Sequence, residues 1–496
     1  MLKEKISRIL PWTTIAVGII LRVGQYLYNR SLTEGEAPLA VNIVNRSYSE
    51  LVKPLDQVQA APIGFLWLQK FMISAFGNNE FAFRFIPLIA GIAALFVFYR
   101  VTSKIMNRNA ALVGLILFSV NDQLIYFSSE LKQYSTDVLA ALLLLLVTVD
   151  VLDNDYRILR MILLGVTGAV SIWFSHPSVF VFCASIVVLS GSMVRLKTAK
   201  KLAWLLIPII AGIVSFLFDY AVSLKSLSQH RAFLDFWRSS FMPLPPKSWV
   251  DFKWFVYSFL RIFKNPGGFS VFDLLLAVIS FFVGAVVCYR TRKVIFAVLL
   301  LPVFLVLLAS GLHKYPFEGR LLLFIVPFIT MMIAQGVEFM RGRSAQGSKT
   351  VGMLLVTALV LYPVMLAGYH LVKPRAPEEL KLVLQYLKDH KQENDVIYVY
   401  YGAVNGFRYY ADRFGYENGD FVAGVEARHD WPLYYQDLKK LKGNARVWVL
   451  LSHICDWAGV DEEMLFISYL EILGKKLDAF SAPGAAAYLY DLRGSP

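Results

Sequence analysis

Cysteine is scarce in this sequence, with three among 496 residues. Cys183 and Cys288 fall in apolar runs and Cys455 lies near the C-terminal end, so neither a disulfide framework nor a metal-binding spacing is present. Charge is thin as well: Asp, Glu, Lys and Arg make up 17% of the chain, against about 25% in soluble domains. No Gly-rich phosphate loop follows a candidate strand, which leaves nucleotide binding without support. There is no internal repeat of the kind an inverted-repeat transporter carries. The net charge is +13, yet the Lys and Arg are scattered between apolar runs. That distribution argues against nucleic acid and for basic loops on the cytoplasmic side of a membrane.

Apolar sequence is what the chain has in excess, at 57% hydrophobic residues and a mean hydropathy of +0.54. A helix that crosses a bilayer needs about 20 mostly apolar residues. Runs of that kind occupy 9–29, 81–101, 109–126, 135–152, 158–175, 177–194, 202–222, 268–289, 294–312, 320–340 and 351–371. The expectation is an α-helical polytopic membrane protein of about eleven spans. The basic stretch Met1 to Arg8 enters the first run without a small-residue cleavage site, and reads as a retained helix rather than a cleaved signal.

Loop charge sets the expected orientation. With the N-terminus cytoplasmic, the loops at 104–108, 153–160, 195–201, 290–293 and 341–349 all fall on the cytoplasmic side, and all carry positive charge. An odd number of spans then puts the C-terminus outside the cytoplasm. Two long loops on that same side, about 29–80 and 223–266, contain amphipathic or aromatic stretches suited to the membrane interface. The first holds Ala37 to Leu51 and Pro62 to Phe76. The expected division is a transmembrane domain over 1–372 and a soluble α/β domain over 373–496. In the tail, Pro377 to His390 and Asp461 to Leu473 read as helices. Asp395 to Tyr401, Arg446 to Ser452 and Ala485 to Leu492 read as strands.

The residues able to carry chemistry gather at the outer ends of helices. Glu34 and Glu36 lie just beyond the first span, where a carboxylate can deprotonate an acceptor or simply open a helix whose Pro38 sits early. The second short outer loop, Tyr126 to Ser135, puts Glu130, Lys132 and Tyr134 at a helix mouth, either as a site or as a solvated, Tyr-anchored loop. Asp137 reads as a helix-start residue. Arg84 can meet a lipid phosphate or snorkel, and His176 can touch substrate or cap a turn. His313, Lys314 and Arg320 put three potential cations beside one helix end; Arg320 can hold a phosphate bidentately or pair with Glu318. Arg22, inside the first span, is expected to pair or snorkel.

In order, these segments are Glu34-Gly35-Glu36-Ala37, Gln59 to Leu66, Phe76 to Pro87 and Ser129 to Tyr134. They resemble the membrane glycosyltransferases of the GT-C class, in particular the aminoarabinose-transferase and protein mannosyltransferase-like group (glycosyltransferase family 39/83-like). The resemblance covers roughly 9–340 and is strongest over 30–140. It implies a polyprenyl-phosphate sugar donor bound from the membrane, and inverting transfer to a glycan, lipid or protein acceptor at the extracytoplasmic face of a plasma membrane. An acid in the first loop acts as base and a second-loop acid helps position. The group has Asp-Glu where this chain has Gly35-Glu36, so Glu36, or else Glu34, must take the base's place, with Glu130 in support. Lys132 stands where similar sequences have Arg. Lys132, Arg84 or Arg320 would meet the donor phosphate. No cofactor is implied, no metal site is marked, and divalent-metal dependence is left open by the loop acids. The competing readings are a transporter or flippase of a lipid-linked sugar, and a non-catalytic subunit that kept the fold, which the missing Asp favours.

Overall fold

The computed structural model describes residues 2–196, 199–225, 231–343, 349–417, 419–454, 456–457 and 459–494. Cys455 and parts of the basic loops at 195–201 and 341–349 lie outside the described residues. The chain forms two compact units: Met1–Tyr28 with Ser47–Pro374, and Asn29–Arg46 with Arg375–Pro496.

The first unit is helical. Among the described residues nine helices are long and apolar enough to cross a membrane: Arg8–Leu27, Glu80–Ile105, Tyr134–Asp153, Ser178–Arg195, Ala203–Leu224, Val271–Thr291, Lys293–Gly311, Gly319–Gly342 and Met353–Val372. The other two expected spans are shorter, Arg108–Val120 and Ile158–Phe174. The first of these stops at Asn121, whose side chain accepts from Leu124 N at 2.9 Å and so starts a new helix, Asp122–Phe127. Two further helices, Ile63–Phe76 and Trp249–Lys264, occupy the long loops. The latter opens on a capping box between Ser248 and Asp251.

The bilayer signature is visible in side-chain exposure. On Val271–Thr291 the exposed residues include Phe272, Leu275, Ile279, Phe282 and Val286, an apolar stripe at helical spacing. Its opposite face, with Ala277, Ser280, Gly284 and Val287, is buried. There it meets Val326–Arg343 so closely that a Cβ on Gly284 would lie 1.8 Å from Met332 O, and one on Gly336 1.8 Å from Ser280 O. Small residues at a crossing let two membrane helices approach backbone to backbone. Arg22 neither pairs with an acid nor snorkels. It is buried, and its Nη1 donates to Gly18 O and Ser119 O, both at 3.0 Å. Main-chain carbonyls take its Nη1 because the helix Arg108–Val120 ends beside it, while among the described residues its buried Nε has no partner.

The second unit is a five-stranded mixed sheet with helices. The strand order is Val422–Ala423, Val396–Val399, Val447–Ser452, Ala485–Asp491, Lys475–Ala482. Val396–Val399 runs parallel to both of its neighbours, and the other pairings are antiparallel. The expected strands and the helices Leu380–His390 and Glu462–Leu473 are present within a few residues of their expected limits. The elements not anticipated include the helices Val404–Phe414 and Trp431–Lys439, the edge strand Lys475–Ala482 and the two-residue strands Val422–Ala423, Asp456–Trp457 and Val460–Asp461. The edge strand is exposed along most of its length, so it lacks the buried β-branched run that marks its neighbours. Asn29–Arg46, read from sequence as part of the membrane domain's loop, belongs to this unit. Leu39 and Ile43 on its helix Ala37–Asn45 are fully buried. Leu32 N donates to Tyr410 OH at 2.8 Å, and Lys381 Nζ to Asn29 O at 2.7 Å.

Candidate active site

In the second unit, the turn Thr33–Glu36 leads into Ala37–Asn45, with Ala37 N donating to Thr33 O at 2.8 Å. Glu36 is fully buried, and its Oε2 accepts from Arg30 Nη1 at 2.6 Å, Thr33 N at 3.1 Å and Thr33 Oγ1 at 3.3 Å. A charge-assisted pair of this kind fixes the loop. Glu34, two residues earlier, is only partly buried. Its Oε1 accepts from Asn405 Nδ2 at 2.7 Å, and its N–H donates to Glu378 Oε2 at 2.7 Å. Glu378 Oε1 in turn meets His453 Nδ1 at 2.9 Å. That hydrogen bond pushes the His453 imidazole above its usual range, with Glu34 adding to the effect.

Topology brings the loops that carry Tyr400 and His453 to one edge. Tyr400 and His453 each follow the C-terminal end of a parallel strand, Val396–Val399 and Val447–Ser452 respectively. Adjacent parallel strands end on the same side, so their following loops gather there. Arg428 joins the same edge, with its guanidinium 5.2 Å from the Tyr401 ring centre. Beneath it the buried Glu462 accepts from Tyr400, from Tyr401 at 3.1 Å and from Tyr434 at 3.0 Å.

In the first unit, the turn Ser128–Gln133 joins Asp122–Phe127 to Tyr134–Asp153 and is buried throughout. Its serines hold it, Ser128 Oγ donating to Ile125 O at 2.6 Å and Ser129 Oγ to Tyr126 O at 3.1 Å. A solvated loop is therefore excluded: Glu130 and Lys132 are 3% and 7% exposed. Lys132 Nζ donates to Gln59 Oε1 at 2.8 Å, and Gln59 lines a cavity of about 50 Å³ with Lys53 and Ser223. Arg320 lies with its guanidinium 5.9 Å from the Tyr134 ring centre and within electrostatic reach of Glu130. The alternative Glu318–Arg320 pair does not form. Glu318 is taken by Arg261 at 2.5 Å and by the Ser240 hydroxyl. Tyr315, whose OH donates to Leu321 O at 2.8 Å, holds the turn that carries Arg320.

A second buried polar group stands at the same helix end. Asp137 is buried in the first turn of Tyr134–Asp153, beside Ser175, and among the described residues its Oδ1 has no hydrogen-bond partner. His176 Nε2 lies 3.6 Å from Asp219 Oδ2. Burial pushes the His176 imidazole down to about 4. His176 is thus an inward-facing group rather than a turn cap.

Of the residues predicted from sequence, the structure brings Arg320 to Tyr134 and within electrostatic reach of Glu130, while Lys132, in the same turn, reaches Gln59. Arg84 is buried and does not snorkel. His313 and Lys314 are exposed, His313 resting 5.0 Å from the Phe241 ring, and neither joins that cluster by a hydrogen bond or ion pair among the described residues. Sequence reasoning missed Arg30, Glu378, His453, Asp137 and Asp219 as site groups. Asp219 had a signal, an acid inside an apolar run. Arg30 had one too, a cation six residues from Glu36 at the membrane exit. His453 had none, since it meets Glu378 only because Ser452 pairs with Ala485 in the antiparallel ladder and the turn at Pro483–Gly484 packs on Pro377 to Glu379.

Residues 60–218 match the family model described as dolichyl-phosphate-mannose-protein mannosyltransferase. No curated protein matches the chain. Among solved structures, the chain is similar to ArnT from Cupriavidus metallidurans bound to undecaprenyl phosphate, at 11% identity and a TM-score of 0.57, covering 98% of this chain and 99% of that one. It is also similar to the Archaeoglobus fulgidus oligosaccharyltransferase tethered with an acceptor peptide containing the NVT sequon, at 10% identity and a TM-score of 0.53, covering 97% of this chain and 74% of that one. The archaeal AglB from the same organism, in complex with an inhibitory peptide and a dolichol-phosphate, matches at 11% identity and a TM-score of 0.52, covering 97% and 74%. The chain has the fold of the GT-C glycosyltransferases, as its sequence segments implied.

Proposed function

We propose, on the premise of the GT-C fold, that this protein is an inverting glycosyltransferase. It moves a sugar from a polyprenyl-phosphate carrier to an acceptor at the extracytoplasmic face of a plasma membrane. The observation that carries the reading is the buried turn before Tyr134, which holds Glu130 and Lys132, with the half-buried Arg320 against the Tyr134 ring where a membrane helix begins. Charges at such a depth are costly and mark function by default. In the reaction an acceptor oxygen or nitrogen bonds to the anomeric carbon as the bond from that carbon to the carrier phosphate breaks. The phosphate leaves with the electron pair and gains negative charge, which fixed cations stabilise. The acceptor's proton passes to a carboxylate.

The family resemblance ranked Glu36 ahead of Glu34 as that carboxylate. Burial argues the reverse. Glu36 spends one oxygen on Arg30 and Thr33 and is sealed from solvent, which suits a loop anchor. Glu34 is partly exposed at an edge that carries His453 and Arg428. We therefore assign Glu34 as base and Glu36 as its anchor, with Glu130 supporting the donor cations.

The test is sugar transfer by purified protein in lipid, from a panel of polyprenyl-phosphate sugars to an envelope extract. Glu34→Gln should lower turnover by about 10²–10⁴-fold with donor binding kept. Lys132→Ala or Arg320→Ala should weaken donor binding and turnover together. If Glu36→Gln alone abolishes turnover in a folded protein, the base assignment moves to Glu36. If wild type binds donor but glycosylates nothing, and every variant supports the same cellular phenotype, the transport or scaffold reading replaces the catalytic one.

A further inference from the structure

At the opposite end of the helix that begins with Tyr134, the first unit has a second charged feature that sugar transfer does not use. An open cavity of about 530 Å³ lies where five membrane-length helices end: Glu80–Ile105, Tyr134–Asp153, Ser178–Arg195, Val271–Thr291 and Lys293–Gly311. Its rim carries Lys104, Arg195, Arg290, Arg292 and Lys293, against a single acid, Asp153. Its floor is apolar, with Ile105 and Val149 buried and Ile295 partly so. The hydroxyls of Tyr156 and Ser192, 2.7 Å apart, stand on one wall.

The rim cations differ in how they are held. Lys104 is neutralised from below by Asp150 at 2.6 Å. Arg195, Arg290, Arg292 and Lys293 are exposed and form no ion pair among the described residues. Arg292 instead reaches Lys104 O at 3.5 Å, and Lys293 lies 5.4 Å from the Tyr289 ring centre. Loop positives alone would account for scattered charges facing water. They do not account for four uncompensated cations around one cavity with an apolar floor.

We propose that this cavity binds the phosphate of an anionic phospholipid head group. A phosphate among Arg side chains gains charge-assisted, often bidentate hydrogen bonds. Basic pockets between membrane helices are suited to such head groups. The apolar floor favours a lipid over free phosphate, because glycerol and the first acyl carbons need a dry surface below the charged rim. The position favours it too, since a cavity at the ends of five membrane helices opens where a leaflet's head groups lie.

The experiment is native mass spectrometry of the full-length protein with phosphatidylglycerol or phosphatidylcholine added, with and without millimolar inorganic phosphate. The variants are Arg290→Ala/Arg292→Ala/Lys293→Ala, the charge-preserving Arg290→Lys/Arg292→Lys/Lys293→Arg, and Lys475→Ala/Lys476→Ala on the exposed strand of the other unit as a control for charge in general. Removing three cations should weaken phosphatidylglycerol binding on the order of a hundredfold. The charge-preserving and control variants should bind it nearly as wild type does. Phosphatidylcholine should bind weakly to all. Equal phosphatidylglycerol binding by the triple alanine variant and wild type overturns the proposal. Displacement of phosphatidylglycerol by inorganic phosphate overturns the lipid as occupant and leaves a site for soluble phosphate. Because none of these residues is assigned to transfer, the outcome is independent of the glycosyltransferase reading.

Discussion

Arg30 and Glu36 show how much one buried pair decides. Both are essentially sealed from solvent. Removing one partner of such a pair leaves an uncompensated charge, so Arg30→Ala should cost about 3–5 kcal/mol of stability. Thermal unfolding of the purified protein measures it, and a drop no larger than that of an exposed Lys→Ala would sink the assignment. His453 offers a test by pH. Its folded-state value lies above the ordinary one because Glu378 holds the charged form. A group raised in this way stabilises the fold fully below its unfolded value, about 6.5, and the gain fades as pH rises through the folded value. The difference in melting temperature between wild type and Glu378→Gln should therefore be greatest near pH 6 and shrink in alkali. A difference that is constant with pH would mean Glu378 acts through its Glu34 N–H bond alone.

At the level of elements, the crossing of Val271–Thr291 with Val326–Arg343 is the tightest helix contact. A methyl group at Gly284 or Gly336 has no room, since the obstacle in each case is main-chain carbonyl. Gly284→Ala or Gly336→Ala should cost about 1–3 kcal/mol by overpacking. Gly191, with nothing near its Cβ position, is the control, and there alanine should leave stability unchanged or raise it by about 1 kcal/mol through helix propensity. The chemistry should feel the crossing as well. The segment Gly319–Ile325, which carries Arg320, runs directly into Val326–Arg343. A displaced helix should thus lower transfer as well as stability, which activity at matched protein concentration would reveal.

For the molecule as a whole, the informative fact is that Asn29–Arg46 folds with Arg375–Pro496. A tail that was a mere appendage could be removed with little consequence for the acidic loop. Here its removal strips the partners of Ser31, Leu32 and Glu34, namely Glu379, Tyr410, Glu378 and Asn405. A chain ending at Pro374 should lose transfer, and its 29–46 segment should become open to protease while the membrane helices stay resistant. Retained activity in that truncation would show that the loop's chemistry does not depend on the tail.

Membrane character, the rough position of every span and the class of fold were legible in the sequence, because the bilayer demands long apolar runs and punishes anything else. The placement of Glu34, Glu36, Glu130 and Lys132 in the segments between the long apolar helices followed from the same runs. Sequence could not tell which acid is sealed and which is partly open, since Glu34 and Glu36 differ only in what packs on them. It read Arg22 as a snorkelling or paired cation, where it is buried and donates to two main-chain carbonyls. It placed Asp137 as a helix-start residue, where burial strands its oxygen. Contacts between segments far apart in the chain decided the surroundings of other groups too: Glu36 by burial in the fold of the C-terminal unit, Arg320 by Arg261 drawing Glu318 away, His453 by the antiparallel pairing of Ser452 with Ala485, whose preceding turn packs beside Glu378. Composition and periodicity record what a segment needs from its solvent. Which neighbour supplies it is settled only when the chain closes on itself.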